Sequence, residues 1–146
     1  MADEKKLRLL LVDDEPTIIE VVRKQLEVAG FEVVVAVNGE EALSVARAEQ
    51  PDAIILDLML PKRSGLEVCM SLRKDVRFHR TPIIFYTGKG KHDVVASLGQ
   101  DKKLLQESGA DAFVEKVDGS LALIKQIHLQ LAKRTAAPAA SAPPPA

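Results

Sequence analysis

The sequence predicts an α/β domain in which a five-stranded parallel sheet has helices on both faces. Short apolar runs alternate along the chain with segments whose apolar residues recur at helical spacing. Strands joined by right-handed helical crossovers lie parallel, and the crossovers place helices on both faces of the sheet. Acidic residues directly follow two of the apolar runs, where an open parallel sheet binds its ligands. The alternation therefore predicts both the architecture and the place of a site.

The predicted strands are mainly apolar runs, as expected for strands that are buried on both faces. They cover residues 7–12, 31–37, 53–56, 83–86 and 112–115. The helices that alternate with them begin at Pro16, after Asn38, after Gly65, at Leu98 and at Ser120. The predicted fourth helix spans residues 98–108, and the last one ends near Arg134. No internal repeat suggests a solenoid instead.

Turn-forming and capping residues mark the helix ends. Pro16 suits a first helical turn, and Gly30 ends the first helix. Asn38 can cap the second helix, which Gln50 and Pro51 end. Helical spacing also predicts which residues face the core: Leu66, Cys69, Met70 and Leu72 in the third helix, and Leu121, Ile124, Ile127 and Leu131 in the last.

Composition and charge narrow the possible functions. A hydrophobic content of 47% and a net charge of -1 fit one domain with a sizeable core. The balanced charge and the 3% of aromatic residues give no reason to expect direct binding of nucleic acid or of a membrane surface. Residues 1–6 lack the apolar core of a secretory signal, so we expect a cytoplasmic protein. The single cysteine, Cys69, is expected in the core rather than as a redox thiol.

The predicted domain organisation has three parts. Residues 1–6 form a polar extension, residues 7–134 the domain, and residues 135–146 an Ala/Pro-rich segment without apolar periodicity. Such a segment is typical of a linker or a disordered tail. The sequence is compatible with a single-domain protein with a tail and with a domain cut from a longer chain.

The residues that follow the predicted strands point to a chemistry. Asp13 and Asp14 follow the first strand, and Asp57 follows the third. Three carboxylates at one edge of a sheet make an oxygen-rich site for a divalent cation. The fourth strand ends at the hydroxyl of Thr87 and the fifth at the ammonium group of Lys116. Carboxylates, a hydroxyl and an ammonium group together suit metal-dependent phosphoryl chemistry.

Helix capping is the alternative interpretation of the acidic cluster. Asp13, Asp14 and Glu15 precede the helix that begins at Pro16, where negative charge interacts favourably with the helix dipole. Capping alone does not account for Asp57, which stands after a different strand. The third carboxylate therefore favours the metal site.

Five motifs occur in the order found in a known family. They are Val12-Asp13-Asp14-Glu15, the run from Leu56 to Pro61, Gly65, Thr87-Gly88, and Lys116. With these motifs, residues 7–134 resemble the receiver domain of bacterial two-component response regulators, including the chemotaxis regulators. The resemblance implies a flavodoxin-like three-layer sandwich with strand order 2-1-3-4-5 and five helices.

The resemblance also implies roles for the acidic residues. Asp57 is expected to be the nucleophile that accepts a phosphoryl group from a phosphohistidine. Mg²⁺ is the expected cofactor, with Asp14 and Asp57 as direct ligands, Asp13 acting largely through water, and the backbone carbonyl of Met59 completing the protein ligands. By resemblance, such a protein is not an enzyme acting on a separate substrate, but it catalyses its own phosphoryl transfer and autodephosphorylation.

The same resemblance predicts a switch. Lys116, Thr87 and the Gly88 amide would contact the phosphoryl group, and movement of Thr87 would let Phe113 turn inward. The face formed by the fourth helix, fifth strand and fifth helix would then bind an effector or output domain. A sensor histidine kinase or a phosphotransfer protein would be the phosphoryl donor.

Two departures from the family pattern leave alternatives open. Val117 stands where the family usually has proline, and the connection from Thr87 to Lys116 is longer than in most members, which predicts an atypical partner surface. An unphosphorylated scaffold for protein interactions is therefore one alternative. A phosphatase of the haloacid dehalogenase type is another, although that class has Asp-x-Asp after its first strand and Asp13-Asp14-Glu15 does not supply this motif.

Overall fold

The parallel sheet has the strand order expected from the sequence. In this computed structural model, residues 6–88 and 108–136 are described, with side chains to residue 134. The strands are β1 (Arg8–Val12), β2 (Glu32–Ala36), β3 (Ala53–Leu56), β4 (Ile83–Thr87) and β5 (Ala112–Glu115). All neighbouring strands pair in parallel, in the order β2-β1-β3-β4-β5. The predicted α/β architecture is confirmed.

Helices connect these strands. Those in the described ranges are α1 (Pro16–Val28), α2 (Gly39–Glu49), α3 (Gly65–Arg73) and α4 (Gly119–Ala136), with short 3-10 turns at Val76–Phe78 and Lys116–Asp118. The predicted fourth helix at 98–108 lies outside the described residues except for Ser108, so α4 corresponds to the predicted fifth helix. It continues two residues past the predicted domain end at Arg134. Residues 137–146, most of the predicted tail, also lie outside the described ranges.

Local sequence accounts for where the helices begin and end. Pro16 occupies the first turn of α1. The Asn38 side chain accepts a hydrogen bond from the Glu41 amide at 2.8 Å and so caps α2. Ser64 and Glu67 form a reciprocal capping box at the start of α3. These caps fix the N-termini of α2 and α3 near the carboxyl end of the sheet.

Two apolar clusters, one on each face of the sheet, form the core. One cluster joins β-strand residues to α2 and α3, and the other joins them to α1 and α4. The predicted inward faces of two helices need correction. Met70 is 41% exposed, whereas Val68 is buried, and Leu121 is 76% exposed, whereas Leu123 is buried. No helix in the described part of the chain is long and apolar enough to cross a membrane.

Cys69 belongs to the core and forms a hydrogen bond to Ser108, at the end of the connection between β4 and β5. Its thiol is fully buried and donates a hydrogen bond to the Ser108 carbonyl oxygen at 3.2 Å. Burial raises the pKa of the Cys69 thiol to about 11. We therefore expect a thiol reagent to leave the native protein unmodified near neutral pH and to label it once denaturant is added. Rapid labelling of the native protein would contradict this.

Candidate metal centre at the carboxyl end of the sheet

The strand register brings the three predicted aspartates together. Val12 is aligned with Leu56, so the residues that follow both strands lie side by side. The Asp57 amide donates to the Val12 carbonyl oxygen at 3.0 Å, which fixes Asp57 beside Asp13. Carboxylate oxygens of Asp13, Asp14 and Asp57 all lie within 4.8 Å of one another.

This donor set fits a hard divalent cation. All three ligating groups are carboxylates, which Mg²⁺ prefers to nitrogen or sulfur ligands. Asp13 and Asp57 are buried, whereas Asp14 is exposed, so one side of the cluster faces water. Mg²⁺ keeps several of its waters when it binds proteins, and the exposed side leaves room for them.

Lys116 is the cation of the site in the described structure. Its Nζ lies 2.6 Å from Asp13 Oδ2, 3.3 Å from Asp57 Oδ2 and 3.6 Å from Glu15 Oε1. Burial of the ammonium group lowers its pKa, but the hydrogen bond to Asp13 and the charge of Asp57 outweigh this, so the pKa of Lys116 is raised. Lys116 therefore stays charged and offsets the repulsion between the carboxylates.

Burial dominates the protonation of Asp57. Desolvation raises its pKa above 3.8, and the nearby charge of Asp13 adds to this. Lys116 and the Met59 amide lower the pKa of Asp57 without cancelling the rise. The Met59 amide donates to Asp57 Oδ1 at 3.1 Å, which holds one carboxylate oxygen against the following loop.

Gly65 closes the loop that follows Asp57. Its amide donates to the Leu58 carbonyl oxygen at 2.9 Å. A Cβ atom at position 65 would overlap the Asp57 carbonyl oxygen and would lie 2.9 Å from Leu58 Cα. Only glycine therefore lets α3 begin this close to Asp57.

The other predicted site residues occupy neighbouring strands. Thr87 is fully buried at the end of β4, opposite Glu115 on β5. Gly88 is exposed and close to the lysine, because a Cβ atom there would lie 3.5 Å from Lys116 Cδ. Gly88 thus lies against Lys116, and Thr87 ends β4, the strand between β3 and β5. Their roles toward a phosphoryl group remain predictions.

Phe113 packs against the core, and Met59 approaches the carboxylates through its backbone amide. Phe113 is aligned with Phe85 inside the sheet and packs, half-buried, on the core face covered by α2 and α3. The Met59 side chain is 48% exposed, so only its backbone faces the cluster through the amide. Its carbonyl as a metal ligand stays a prediction.

Val117 does not displace the lysine. The chain turns from β5 into the 3-10 turn Lys116–Asp118, and no cis peptide bond occurs in the residues that the structure describes. Val117 is 82% exposed. The departure from proline therefore leaves Lys116 in contact with Asp13 and Asp57.

Two residues near the site were not foreseen in their present roles. The sequence indicates Glu15 only as part of the acidic run, yet its carboxylate lies 3.6 Å from the Lys116 ammonium group. Gly39 follows the cap Asn38, and its amide donates to the Pro61 carbonyl oxygen at 3.3 Å in the loop after Asp57. The Asn-Gly pair was the available signal, since it places a residue without a side chain at the start of a helix.

Because the pKa of Asp57 is raised in the folded protein, the folding stability of the protein depends on pH through this residue. At a pH above the pKa of Asp57 in the folded protein, the ionised Asp57 carboxylate destabilises the metal-free protein. This destabilisation disappears at a pH below 3.8, the ordinary pKa of an aspartate side chain. We therefore expect Asp57→Asn to raise the free energy of unfolding near neutral pH, with a gain that shrinks as the pH falls. Denaturant titrations of both proteins without metal measure this, with Asp118→Asn on the exposed surface as the control. A gain that grows toward low pH would contradict the assignment.

Comparisons with known sequences point to one family. Residues 9–128 match the family profile described as the response regulator receiver domain. The alkaline phosphatase synthesis transcriptional regulatory protein PhoP of Bacillus subtilis is 41% identical over 109 residues, which cover 75% of this chain and 42% of PhoP. The DNA-binding dual master transcriptional regulator RpaA of Synechocystis sp. has the same identity and coverage. The chain thus spans less than half the length of these relatives.

Solved structures agree with the sequence matches. The chemotaxis response regulator CheY4 of Vibrio cholerae is similar with a TM-score of 0.75 and 28% identity, over 86% of this chain and 99% of CheY4. The BeF3-activated N-terminal receiver domain of Klebsiella pneumoniae RstA has a TM-score of 0.71 and 27% identity, over 85% of this chain and 97% of that domain. The profile match over most of the chain, the relatives above 40% identity and the shared fold show that this chain belongs to the response regulator receiver domain family.

Proposed function

We propose that this protein is a phosphorylation-activated signalling switch that accepts a phosphoryl group on Asp57 in the presence of Mg²⁺. One observation carries the proposal: the buried Asp57 carboxylate lies both within a cluster of three carboxylates and 3.3 Å from the Lys116 ammonium group. A carboxylate between a metal site and a fixed cation is suited to receive an anionic phosphoryl group.

Asp13, Asp14 and Asp57 would hold the metal ion, together with the Met59 backbone carbonyl. When bound, Mg²⁺ offsets the negative charge of the carboxylates and of the transferring phosphoryl group. Asp13 and Asp57 are also bonded to backbone amides, of Glu15 and Met59 respectively. These bonds orient the carboxylates before any ligand arrives.

The donor in the proposed reaction is a phosphohistidine on a histidine kinase or a phosphotransfer protein. An Asp57 carboxylate oxygen attacks phosphorus, a new P–O bond forms, and the P–N bond to the donor imidazole breaks. Lys116 would stabilise the phosphoryl oxygens by charge, while the Gly88 amide and the Thr87 hydroxyl donate hydrogen bonds to them. Autodephosphorylation would follow by attack of water on the same phosphorus.

Buried groups would transmit the change. Thr87 is fully buried, so a shift of its hydroxyl toward Asp57 requires repacking around the end of β4. Phe113 lies on the adjacent strand and is half-buried, and it is the side chain we propose to respond. The response would depend on packing alone, because phenylalanine has no hydroxyl to hydrogen-bond.

The proposed output is a change in protein binding. The described part of the proposed surface is β5 and α4, while the predicted fourth helix lies outside the described residues except for Ser108. Relatives such as PhoP are transcriptional regulators, and this chain matches less than half of their length. We propose a protein effector or an output domain as the partner, with no direct contact to nucleic acid. We propose that this transfer from a histidine kinase takes place in the cytoplasm.

The beryllofluoride complex, a phosphoryl mimic, tests the switch. Amide and aromatic NMR signals are recorded for the wild type and for Asp57→Asn, with Mg²⁺ alone and after addition of the mimic. We expect shifts at Thr87, Gly88 and the Phe113 ring in the wild type only. Signals that do not respond in a protein shown to bind Mg²⁺ would favour the unphosphorylated scaffold instead.

A further inference from the structure

A strained turn lies within the loop that follows Asp57. Lys62 has a φ of +69°, a backbone conformation that residues with a Cβ atom seldom adopt. The Arg63 amide donates to the Pro61 carbonyl oxygen at 2.7 Å, so residues 61–63 form a γ-turn, of the less common type in which the central residue has a positive φ. Such a turn persists only where surrounding contacts hold it.

The first residue of α2 supplies those contacts. The Gly39 amide donates a second hydrogen bond to the Pro61 carbonyl oxygen, at 3.3 Å. A Cβ atom at position 39 would overlap the Arg63 carbonyl oxygen and would lie 2.5 Å from Arg63 Cβ. Gly39 is buried, and the Asn38 cap fixes the helix end that carries it. The turn is therefore packed against a rigid helix terminus.

The same loop contains the backbone groups nearest the carboxylates. Its first part is tied to Asp57 by the Met59 amide, and its end is closed by the Gly65 amide on the Leu58 carbonyl oxygen. Between these points, and within the described residues, the contact between Gly39 and Pro61 links the loop to another element through backbone hydrogen bonding. A shift of this turn would move the Met59 backbone relative to Asp57.

We infer that Gly39 is a positioning residue for the metal site: its amide and its lack of a side chain hold the strained turn at 61–63 and thereby the Met59 backbone. This inference rests on the proposed function, in which Met59 supplies a metal ligand. According to this inference, the start of α2 affects the affinity for Mg²⁺, although α2 contributes no residue to the carboxylate cluster.

Gly39→Ala tests the inference, with Ser44→Gly as the matched control. Ser44 is exposed on α2, and glycine there weakens the helix without touching the loop. Calorimetric titration with Mg²⁺ measures affinity, and amide NMR of the metal-free proteins reports the position of Met59. We expect Gly39→Ala to weaken Mg²⁺ binding about tenfold, as loss of supporting contacts around metal ligands does. Ser44→Gly should bind Mg²⁺ as the wild type does.

Lys62→Gly provides a second variant in case Gly39→Ala does not fold. Glycine accepts the positive φ but allows other turns, so we expect weaker Mg²⁺ binding without loss of stability. Gln50→Gly is its control, because Gln50 has a φ of +47° at the other end of α2. Unchanged Mg²⁺ affinity in folded Gly39→Ala, or in Lys62→Gly if Gly39→Ala does not fold, would overturn the inference.

Different results would contradict the positioning role of Gly39 and the proposed function. If the wild type does not bind Mg²⁺, the proposed function fails, and the metal-free amide spectra then decide the positioning role. A Met59 amide that shifts in Gly39→Ala but not in Ser44→Gly supports the role, and one that stays in place in both variants overturns it.

Discussion

Lys116→Met is expected to destabilise the metal-free protein strongly near neutral pH. The substitution keeps most of the side-chain volume but removes the cation that lies 2.6 Å from Asp13 and 3.3 Å from Asp57. Two buried carboxylates then face each other without compensation. Removing one partner of a buried ion pair lowers the free energy of unfolding by about 3 kcal/mol or more. Because Lys116 is partly exposed, we expect a loss of about 2–3 kcal/mol.

The loss in Lys116→Met should shrink under two conditions. Lowering the pH protonates Asp57, whose pKa is already raised by burial, and so removes the repulsion. Adding Mg²⁺ should act in the same direction through the proposed metal site. Denaturant titrations with and without Mg²⁺ measure both effects, and Lys125→Met on the exposed side of α4 is the control. A loss independent of both pH and Mg²⁺ would show that Lys116 acts by packing instead.

Arg73→Ala is the second substitution with a large expected effect. The guanidinium group donates to the carbonyl oxygens of Gly109, Phe78 and Thr81 at 2.9, 2.6 and 2.7 Å, and to Asp111 Oδ2 at 2.8 Å. It joins α3 to the segments that enter β4 and β5. Alanine would leave several partly buried acceptors unsatisfied, so we expect a loss of about 3 kcal/mol in the free energy of unfolding.

Two further variants show what the Arg73 side chain contributes. Arg73→Lys should recover only part of the loss, because an ammonium group cannot match the planar geometry of a guanidinium group with four acceptors. Arg77→Ala removes an exposed arginine that pairs with Asp75, and its effect should be much smaller. Equal losses in Arg73→Ala and Arg77→Ala, measured by denaturant titration, would contradict the assigned role.

Strand ends were predictable from sequence because they coincide with a change in chemistry. β1 ends in a buried apolar run and β3 consists of one, and the first polar residue after each of them marks the edge of the sheet. Asp13 and Asp57 could therefore be assigned to one edge of the sheet from the sequence, and Lys116 joins them as the residue that follows β5. The distances between these side chains depend on the register of the parallel strands. The sequence pattern predicts the fold class but does not specify this register directly.

Helix faces were predicted less well, for a physical reason. In α3, both Val68 and Met70 are apolar, so the pattern does not determine the rotation of the helix, and packing buries the valine. In α4, Leu121 and Leu123 present the same ambiguity, and the second is buried. The contact between Gly39 and Pro61 was harder to predict, because it joins the start of α2 to the loop after Asp57 through backbone atoms that every residue type possesses.

Intact-protein mass after incubation with a small-molecule phosphodonor tests Asp57 as the metal-dependent phosphoacceptor most directly. The wild type is compared with and without Mg²⁺, and with Asp57→Asn. We predict a gain of one phosphoryl group in the wild type with Mg²⁺, and none without metal or in Asp57→Asn. No gain in a folded, Mg²⁺-bound wild type, or an equal gain in Asp57→Asn, would contradict the proposed phosphorylation switch.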